Sequence, residues 1–326
     1  YATLRDVQDI ERDSELPLAD EPFYTALNDD LNTPVAIAEI HALAKQLHKA
    51  AEAEQPALKA RILAAGKLLG ILEQDPELHQ YLVRRMGKAH LRRRVGVETE
   101  HMADRFGQGQ TFINIENLRL APKLIHLTLW LTGMRARGRA NVEDFQVRHN
   151  RLVLPHLPAA FEGYTLLQLS DLHLDVLDTF PDRLAERVSE LDYDLCVLTG
   201  DYRFLTRGCH KKAMRGLERL CRDIRTDTYA ILGNHDTILM AQTIESLGVK
   251  LLLNENTAIR RDASAVYLAG IDDPHYYAAD NLESAYQGIP DDGVSLLLSH
   301  SPEIYRHAAY VGFDVMLCGH THGGQI

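Results

Sequence analysis

The chain has 326 residues, 45% of them hydrophobic and 25% charged, with a formal net charge of −11. That length leaves room for two domains, and the composition is that of a globular fold rather than a disordered or fibrous chain. The acidic balance excludes a chain built as a whole to coat nucleic acid, although it permits a local basic surface.

Residues 1–83 read as helices only. Thr33-Pro34 is a helix start, a cap residue followed by proline at the first helical position. Val35, Ile37, Ile40, Leu43, Ala44 and Leu47 then recur near the helical period. A second helix runs from about Ala57 through Ile62, Leu63, Leu68, Leu69 and Leu72, bracketed by Pro56 and Asp75-Pro76. This predicts a separate N-terminal all-α helical bundle without the residue types of a reaction centre. Residues 27–44 (LNDDLNTPVAIAEIHALA), with LLGILEQDP at 68–76 and YATLRDV at the start, resemble the helical tRNA-side domain of cysteinyl-tRNA synthetases. The resemblance implies tRNA contact by residues 1–83 and no more. The HIGH and KMSKS motifs of adenylate formation and the synthetase Cys/His zinc set are not found, and the family's C-terminal tail is not recognisable after Val83.

Residues 84–160 form a basic, partly apolar helical connector. Arg84, Arg85, Lys88, Arg92, Arg93 and Arg94 make one cationic cluster, and Arg135, Arg137 and Arg139 another. Between them lies LIHLTLWLTGM with Trp130. The favoured reading is a helix packed on the following domain with a solvated basic flank. The other is an interfacial helix giving residues 84–140 peripheral contact with a membrane. The apolar run 124–131 is too short to span a bilayer, which needs about 20 residues. Met86-Gly87-Lys88 would serve as a natural start for the C-terminal part of the chain, which therefore reads either as a true fusion or as the end of one reading frame joined to the start of another. The chain begins on Tyr1 and ends on Ile326, both ends reading as cut, with no secretory signal visible.

Residues 161–326 alternate short apolar runs with helical patterns, the rhythm of a layered α/β domain. The runs TLLQLS, LCVLTG, TYAILG, VYLAGI, SLLLSH and DVMLCG fit buried strands. Residues 183–191 and 212–224 fit helices between them. Cys196, Cys209, Cys221 and Cys318 lack CxxC spacing and form neither a disulfide framework nor a zinc knuckle. Cys196 and Cys318 sit in apolar runs as buried free thiols, consistent with a reducing, cytoplasmic compartment, peripheral to the inner membrane if the interfacial reading holds.

Five of these runs end in residues of metal-ligand type: Asp171 and His173, Asp201, Asn234 with His235 and Asp236, His300, and His320 with His322. If the strands are parallel, these residues gather at one sheet edge, where α/β domains place their ligands. Carboxylates, imidazoles and one amide oxygen, without thiolate, suit Mn, Fe, Zn, Mg or Ni. A shared carboxylate can hold two such cations about 3.5–4 Å apart, activating a bridging water to hydroxide against a phosphoryl group. A nearby imidazole can protonate the leaving oxygen. Asp171 alone could be a helix cap, but the strand before it and the histidine two residues on argue for a ligand. Gly200 and Gly233 allow a sharp turn before a ligand. Tyr202 and Arg203 read as phosphate or substrate contacts. Asp272, Asp273 and His275 read as loop residues, with a substrate rim as the alternative.

DLH at 171–173, GDY at 200–202, GNHD at 233–236, SH at 299–300 and GHTH at 319–322 resemble, in order, the five blocks of the calcineurin-like metallophosphoesterases. The resemblance covers the last half of the chain and implies an α/β/β/α sandwich with two divalent metal ions. It implies that Asp171, His173 and His322 hold one metal, that Asn234, His300 and His320 hold the other, and that Asp201 bridges. His235 would contact phosphate and act as acid, with Asp236 orienting its ring. The tail GHTHGGQI is similar to a bacterial subgroup acting on phosphoesters or lipid-linked pyrophosphates. The expected activity is hydrolysis of a phosphomonoester, phosphodiester or pyrophosphate on a phosphorylated small-molecule or lipid-linked substrate. The outer strand layer is expected to be incomplete at Ile326. The alternative is a tRNA-binding module, derived from a cysteinyl-tRNA synthetase, whose phosphoesterase half is inert.

Overall fold

Four apolar side chains spaced i, i+4, i+7 and i+11, Ala36, Ile40, Leu43 and Leu47, form the buried face of the first helix, α1 (Thr33–Leu47). Val35 and Ile37, expected on that face, are exposed, because Ala36 takes the inward register. Helix α2 (Gln55–Leu68) packs on α1 through Ala60, Ile62 and Ala65, with Pro56 tolerated in its first turn. Helix α3 (Pro76–Met86) buries Leu82. The computed structural model describes residues 22, 33–68, 76–102, 128–206 and 208–323. The readings that rest on residues 1–21, 23–32, 69–75, 103–127 and 324–326 lie outside them. The chain divides into two compact units, Tyr1–Arg85 and Met86–Ile326.

The second unit opens with helix α4 (Lys88–Met102), followed by α5 (Arg135–Glu143), which buries none of its side chains. Of the first basic cluster, Arg94 is turned fully inward, whereas Arg92 and Arg93 are exposed. Its strands form two four-stranded sheets. The first contains β1 (Leu166–Leu169), β2 (Leu195–Leu198), β3 (Thr228–Ala230) and β4 (Lys250–Leu251), all parallel and in sequence order. The second contains β5 (Glu255–Arg261), β6 (Ser264–Gly270), β7 (Ser295–Leu298) and β8 (Val315–Leu317). There β5 and β6 form an antiparallel hairpin, and β6, β7 and β8 run parallel.

Leu195, Val197, Tyr229 and Ile231 from the first sheet meet Leu268 and Leu298 from the second in one buried cluster, the layer between the sheets. Alternation along β2 turns Cys196 and Leu198, equally buried, to the opposite face. Helix α6 (Phe180–Ser189) has Pro181 and Asp182 in its first turn and Arg187 in its last, as proline geometry and the helix dipole favour. It packs on α7 (Lys211–Cys221), whose Ala213, Met214, Leu217 and Leu220 make an inward stripe. Helix α8 (Ala241–Ser246) lies against α7 and β4. Helices α9 (Leu282–Tyr286) and α10 (Tyr305–Val311) cover the second sheet through Leu282, Ala285 and Ala308 against Ala269 and Leu297. The layers are those of an α/β/β/α sandwich. Leu268 is 1% exposed in the inter-sheet cluster. Leu268→Ala is expected to lower unfolding free energy by roughly 2–5 kcal/mol, measured by urea denaturation.

Candidate metal centre

The C-terminal ends of β1, β2 and β3 in one sheet face the same region as those of β7 and β8 in the other. The expected single sheet edge is thus two edges, because the β5–β6 hairpin starts a second sheet after β4. The turns that leave these strands are unusually sharp. Asp171, His173, Asp201, His320 and His322 all have positive φ, between 41° and 67°. Left-handed backbone at a non-glycine residue costs on the order of 1–3 kcal/mol and persists only where neighbours enforce it. Here the loops enforce one another. The Asp171 amide donates to the Gly200 carbonyl at 3.1 Å and the His173 amide to the Asp201 carbonyl at 3.0 Å. The His320 amide donates to the Asp171 carboxylate at 3.0 and 3.1 Å. A methyl group on Gly233 or Gly319 would collide with Asp201 or with Ser170 and Asp171 respectively, so both positions need glycine for this approach.

Donor atoms of Asp171, His173 and His322 lie within 4.8 Å of one another, as do those of Asp171, Asp201 and His300, and those of His173, Asp201 and His235. The His300 Nε2 lies 2.9 Å from Asn234 Oδ1 and 3.2 Å from Asp201 Oδ2. The His320 Nδ1 lies 3.0 Å from the same Asn234 oxygen. Asp201 is therefore common to both halves of the cluster. The imidazoles are aimed from behind: His173 Nδ1 faces the Arg203 carbonyl at 2.9 Å and His300 Nδ1 the Thr199 carbonyl at 2.7 Å. Such carbonyls fix the tautomer and leave the other ring nitrogen for a ligand.

Burial raises the Asp201 carboxyl, but the imidazoles of His300, His235 and His173 outweigh it and hold the group well below the usual carboxylate range. Burial lowers His300, and the Asp201 carboxylate outweighs it, pushing the imidazole up to about 10. Two acceptor oxygens facing one ring nitrogen are met by that ring's own proton or by a cation in its place. The donors gathered here, all oxygen or imidazole nitrogen, fit a divalent cation. A cation bound at His300 Nε2 would have to displace the proton of an imidazole that Asp201 pushes up to about 10. Apparent affinity is expected to rise up to about ten-fold per pH unit across roughly pH 7–9, read by calorimetry in buffers of different ionisation enthalpy. The cation-free protein carries this group's stabilisation fully below pH 6.5 and loses it as pH rises through 10.

Several residues serve otherwise than the sequence suggested. Asp236 was expected to orient the His235 ring. Its carboxylate instead accepts the amides of Asp201 at 2.7 Å, Gly233 at 2.9 Å and Tyr202 at 3.0 Å, while His235 Nδ1 meets the Phe204 carbonyl. Burial and the Asp201 charge push the Asp236 carboxyl up. Tyr202 and Arg203, read as phosphate contacts, point inward. The Tyr202 hydroxyl donates to Ile231 at 2.8 Å, and the Arg203 guanidinium is spent on the carbonyls of Thr206, Gly208 and His235. Asp272 and Asp273 lie in the loop after β6, as expected, but are fully buried there and form no substrate rim. His275 stays at the surface, its ring 5.1 Å from that of His320 and its Nδ1 2.9 Å from Glu303. Arg94, His90 and Glu98 reach this region from α4, and sequence reasoning missed them.

Comparison with known proteins gives two separate matches. Residues 164–324 match the calcineurin-like phosphoesterase family, and residues 22–73 the DALR domain. The uncharacterized metallophosphoesterase YkoQ of Bacillus subtilis is 34% identical over 200 residues, 58% of this chain and 72% of its own. The phosphodiesterase YaeI of Escherichia coli is 27% identical over 190 residues, 55% of this chain and 67% of its own. The cysteine–tRNA ligase of Rhodospirillum centenum is 46% identical over 77 residues, 24% of this chain but only 16% of the ligase.

Proposed function

Because the chain belongs to the calcineurin-like phosphoesterases, we propose that its second unit hydrolyses a phosphoester with two divalent cations. Asp171, His173 and His322 would hold one, Asn234, His300 and His320 the other, and Asp201 would be shared. The observation that carries this reading is the convergence of both donor sets on the Asp201 carboxylate. Bound there, the cations would supply Lewis-acid activation of water and neutralise charge on the phosphoryl group; Mn, Fe, Zn, Mg and Ni all suit the donors.

The chain's own groups do the rest. The amides that clamp Asp236 keep the Asp201 and Gly233 loops together, so the carboxylate and the Asn234 amide oxygen stay aimed inward. His235, held at Nδ1 by the Phe204 carbonyl, brings Nε2 to 3.9 Å from Asp201 Oδ2, on the open side of the cluster. From there it would donate a proton to the leaving oxygen as the phosphorus–oxygen bond breaks, while the attacking water gives its own proton to solvent and its oxygen takes the vacated place on phosphorus. A relative named as a phosphodiesterase favours a diester over a monoester or pyrophosphate. Purified protein with Mn²⁺ is expected to cleave bis(p-nitrophenyl) phosphate and to lose that activity with chelator. No turnover with any of the five cations, on mono- or diester, would overturn the reading.

The match of residues 22–73 to a DALR domain supports a second, separate proposal, that residues 1–83 contact tRNA. A gel shift of the whole chain with tRNA-Cys, compared with unrelated tRNA, tests it, and no adenylate formation is expected. Peripheral lipid contact by residues 84–140 has less behind it. Arg94 is turned inward, while Trp130, Leu131 and Met134 are exposed beside Arg135, Arg137 and Arg139. Among the described residues no helix is long and apolar enough to cross a membrane. Failure to sediment with anionic vesicles would remove the lipid proposal.

A further inference from the structure

Helix α4 presents His90, Arg94 and Glu98 at i, i+4 and i+8, one face of a helix, and each reaches a loop that leaves a strand. Arg94 is 0% exposed. Its Nη2 donates to the Asp236 carbonyl at 3.1 Å, and its Nε lies 3.2 Å from Asp272 Oδ2. Its Nη1 lies 3.2 Å from Glu98 Oε1, and the guanidinium stacks over the Tyr277 ring. Glu98 in turn accepts from the Thr237 hydroxyl at 2.6 Å and the Ile238 amide at 2.8 Å. His90 Nε2 lies 3.2 Å from the same Asp272 oxygen as Arg94.

Asp236 follows β3 in the first sheet, and Asp272 follows β6 in the second. One guanidinium therefore joins the strand-end loops of both sheets. On the first side it holds the backbone of Asp236, whose carboxylate clamps the Asp201, Tyr202 and Gly233 amides. On the second, Asp272 Oδ1 accepts the Asp273 amide at 2.9 Å, and Asp273 lies 3.5 Å from the hydroxyl of Ser301, the neighbour of His300. A buried ion pair is a poor source of net stability, because desolvating its charges offsets their attraction. Its worth lies in geometry, which the planar multi-donor guanidinium supplies and an ammonium does not.

We propose that Arg94 is a positioning residue for the metal centre, holding the loops of the two sheets in register so that Asp201 and Asn234 meet His300 and His320. The proposal rests on reading those four residues as cation ligands. Arg94→Lys tests it, since lysine keeps a positive charge beside Asp272 but cannot also reach Glu98 and the Asp236 carbonyl. Mn²⁺ affinity, by calorimetry and electron paramagnetic resonance, is expected to fall by roughly 10–100-fold, the loss typical of partners that orient metal ligands. The kcat on bis(p-nitrophenyl) phosphate at saturating Mn²⁺ should fall with KM little changed, and far-UV circular dichroism should match the parent. Arg94→Ala, which removes the counter-charge of Asp272 and Glu98 altogether, should lower Tm in addition. A folded Arg94→Lys protein with Mn²⁺ affinity and kcat within about twofold of the parent would overturn the proposal, given the loss expected. So would an Arg94→Lys protein that fails to fold, since that makes Arg94 a partner for core charge and nothing more. A parent protein that takes up no Mn²⁺ would overturn the metal reading itself, and this proposal with it.

Discussion

Asp201→Asn is expected to reduce turnover more than any other single change in the chain and to release cation from the protein. Asp201 is 2% exposed, and its Oδ2 lies 3.2 Å from His300 Nε2 and 3.9 Å from His235 Nε2. Asparagine keeps the shape and can keep the Oδ1 that accepts the His235 amide at 2.9 Å. It removes the negative charge and turns an amide NH₂ toward His300. The loss in kcat should exceed the roughly 10–100-fold that accompanies loss of a mere outer partner of a metal ligand. Mass spectrometric metal analysis beside steady-state kinetics reads both effects. Full metal occupancy with near-parent turnover in Asp201→Asn would end the shared-ligand role.

His235→Ala should act differently, and the difference identifies its role. Its backbone amide, which donates to Asp201, survives the change, so metal content should match the parent. A general acid contributes about 10²–10⁴-fold, and only where the leaving oxygen needs a proton. The full loss is therefore expected for an alkyl phosphoester and a much smaller one for a nitrophenyl ester, whose phenolate leaves unaided. A plot of log kcat against leaving-group pKa should steepen in the variant. A uniform loss across the series would assign His235 to holding phosphate rather than to proton transfer.

The strand-end residues were legible because two signals coincide at each: a short apolar run that must be buried, and a ligand-type side chain immediately after it. Direction was less legible. Tyr202 and Arg203 stand next to Asp201 in sequence, yet the left-handed backbone at Asp201 turns both into the protein. No residue type announces that turn except Gly200 before it. The second sheet was only partly visible. Strand β6 was read, but β5 has the half-buried, mixed character of ENTAIRR rather than an apolar run, and without it the hairpin that divides the strands between two sheets cannot be inferred. Arg94 was misleading because a cation among five others reads as a solvated flank. Its i, i+4, i+8 spacing with His90 and Glu98 was the available sign that one face of that helix mixes charges and is not simply a solvated basic flank.

The lock between α4 and the two strand-end loops bears on how far the recognisable family region is autonomous. The segment matched to the phosphoesterases begins at 164, whereas Arg94 lies seventy residues earlier. A fragment excised at the homology boundary would retain all five motif blocks but lose the Arg94 and His90 partners of Asp272 and the Glu98 partner of the Ile238 amide. Sequence kinship thus marks where the motif blocks are written, while the compact unit that holds them begins at Met86.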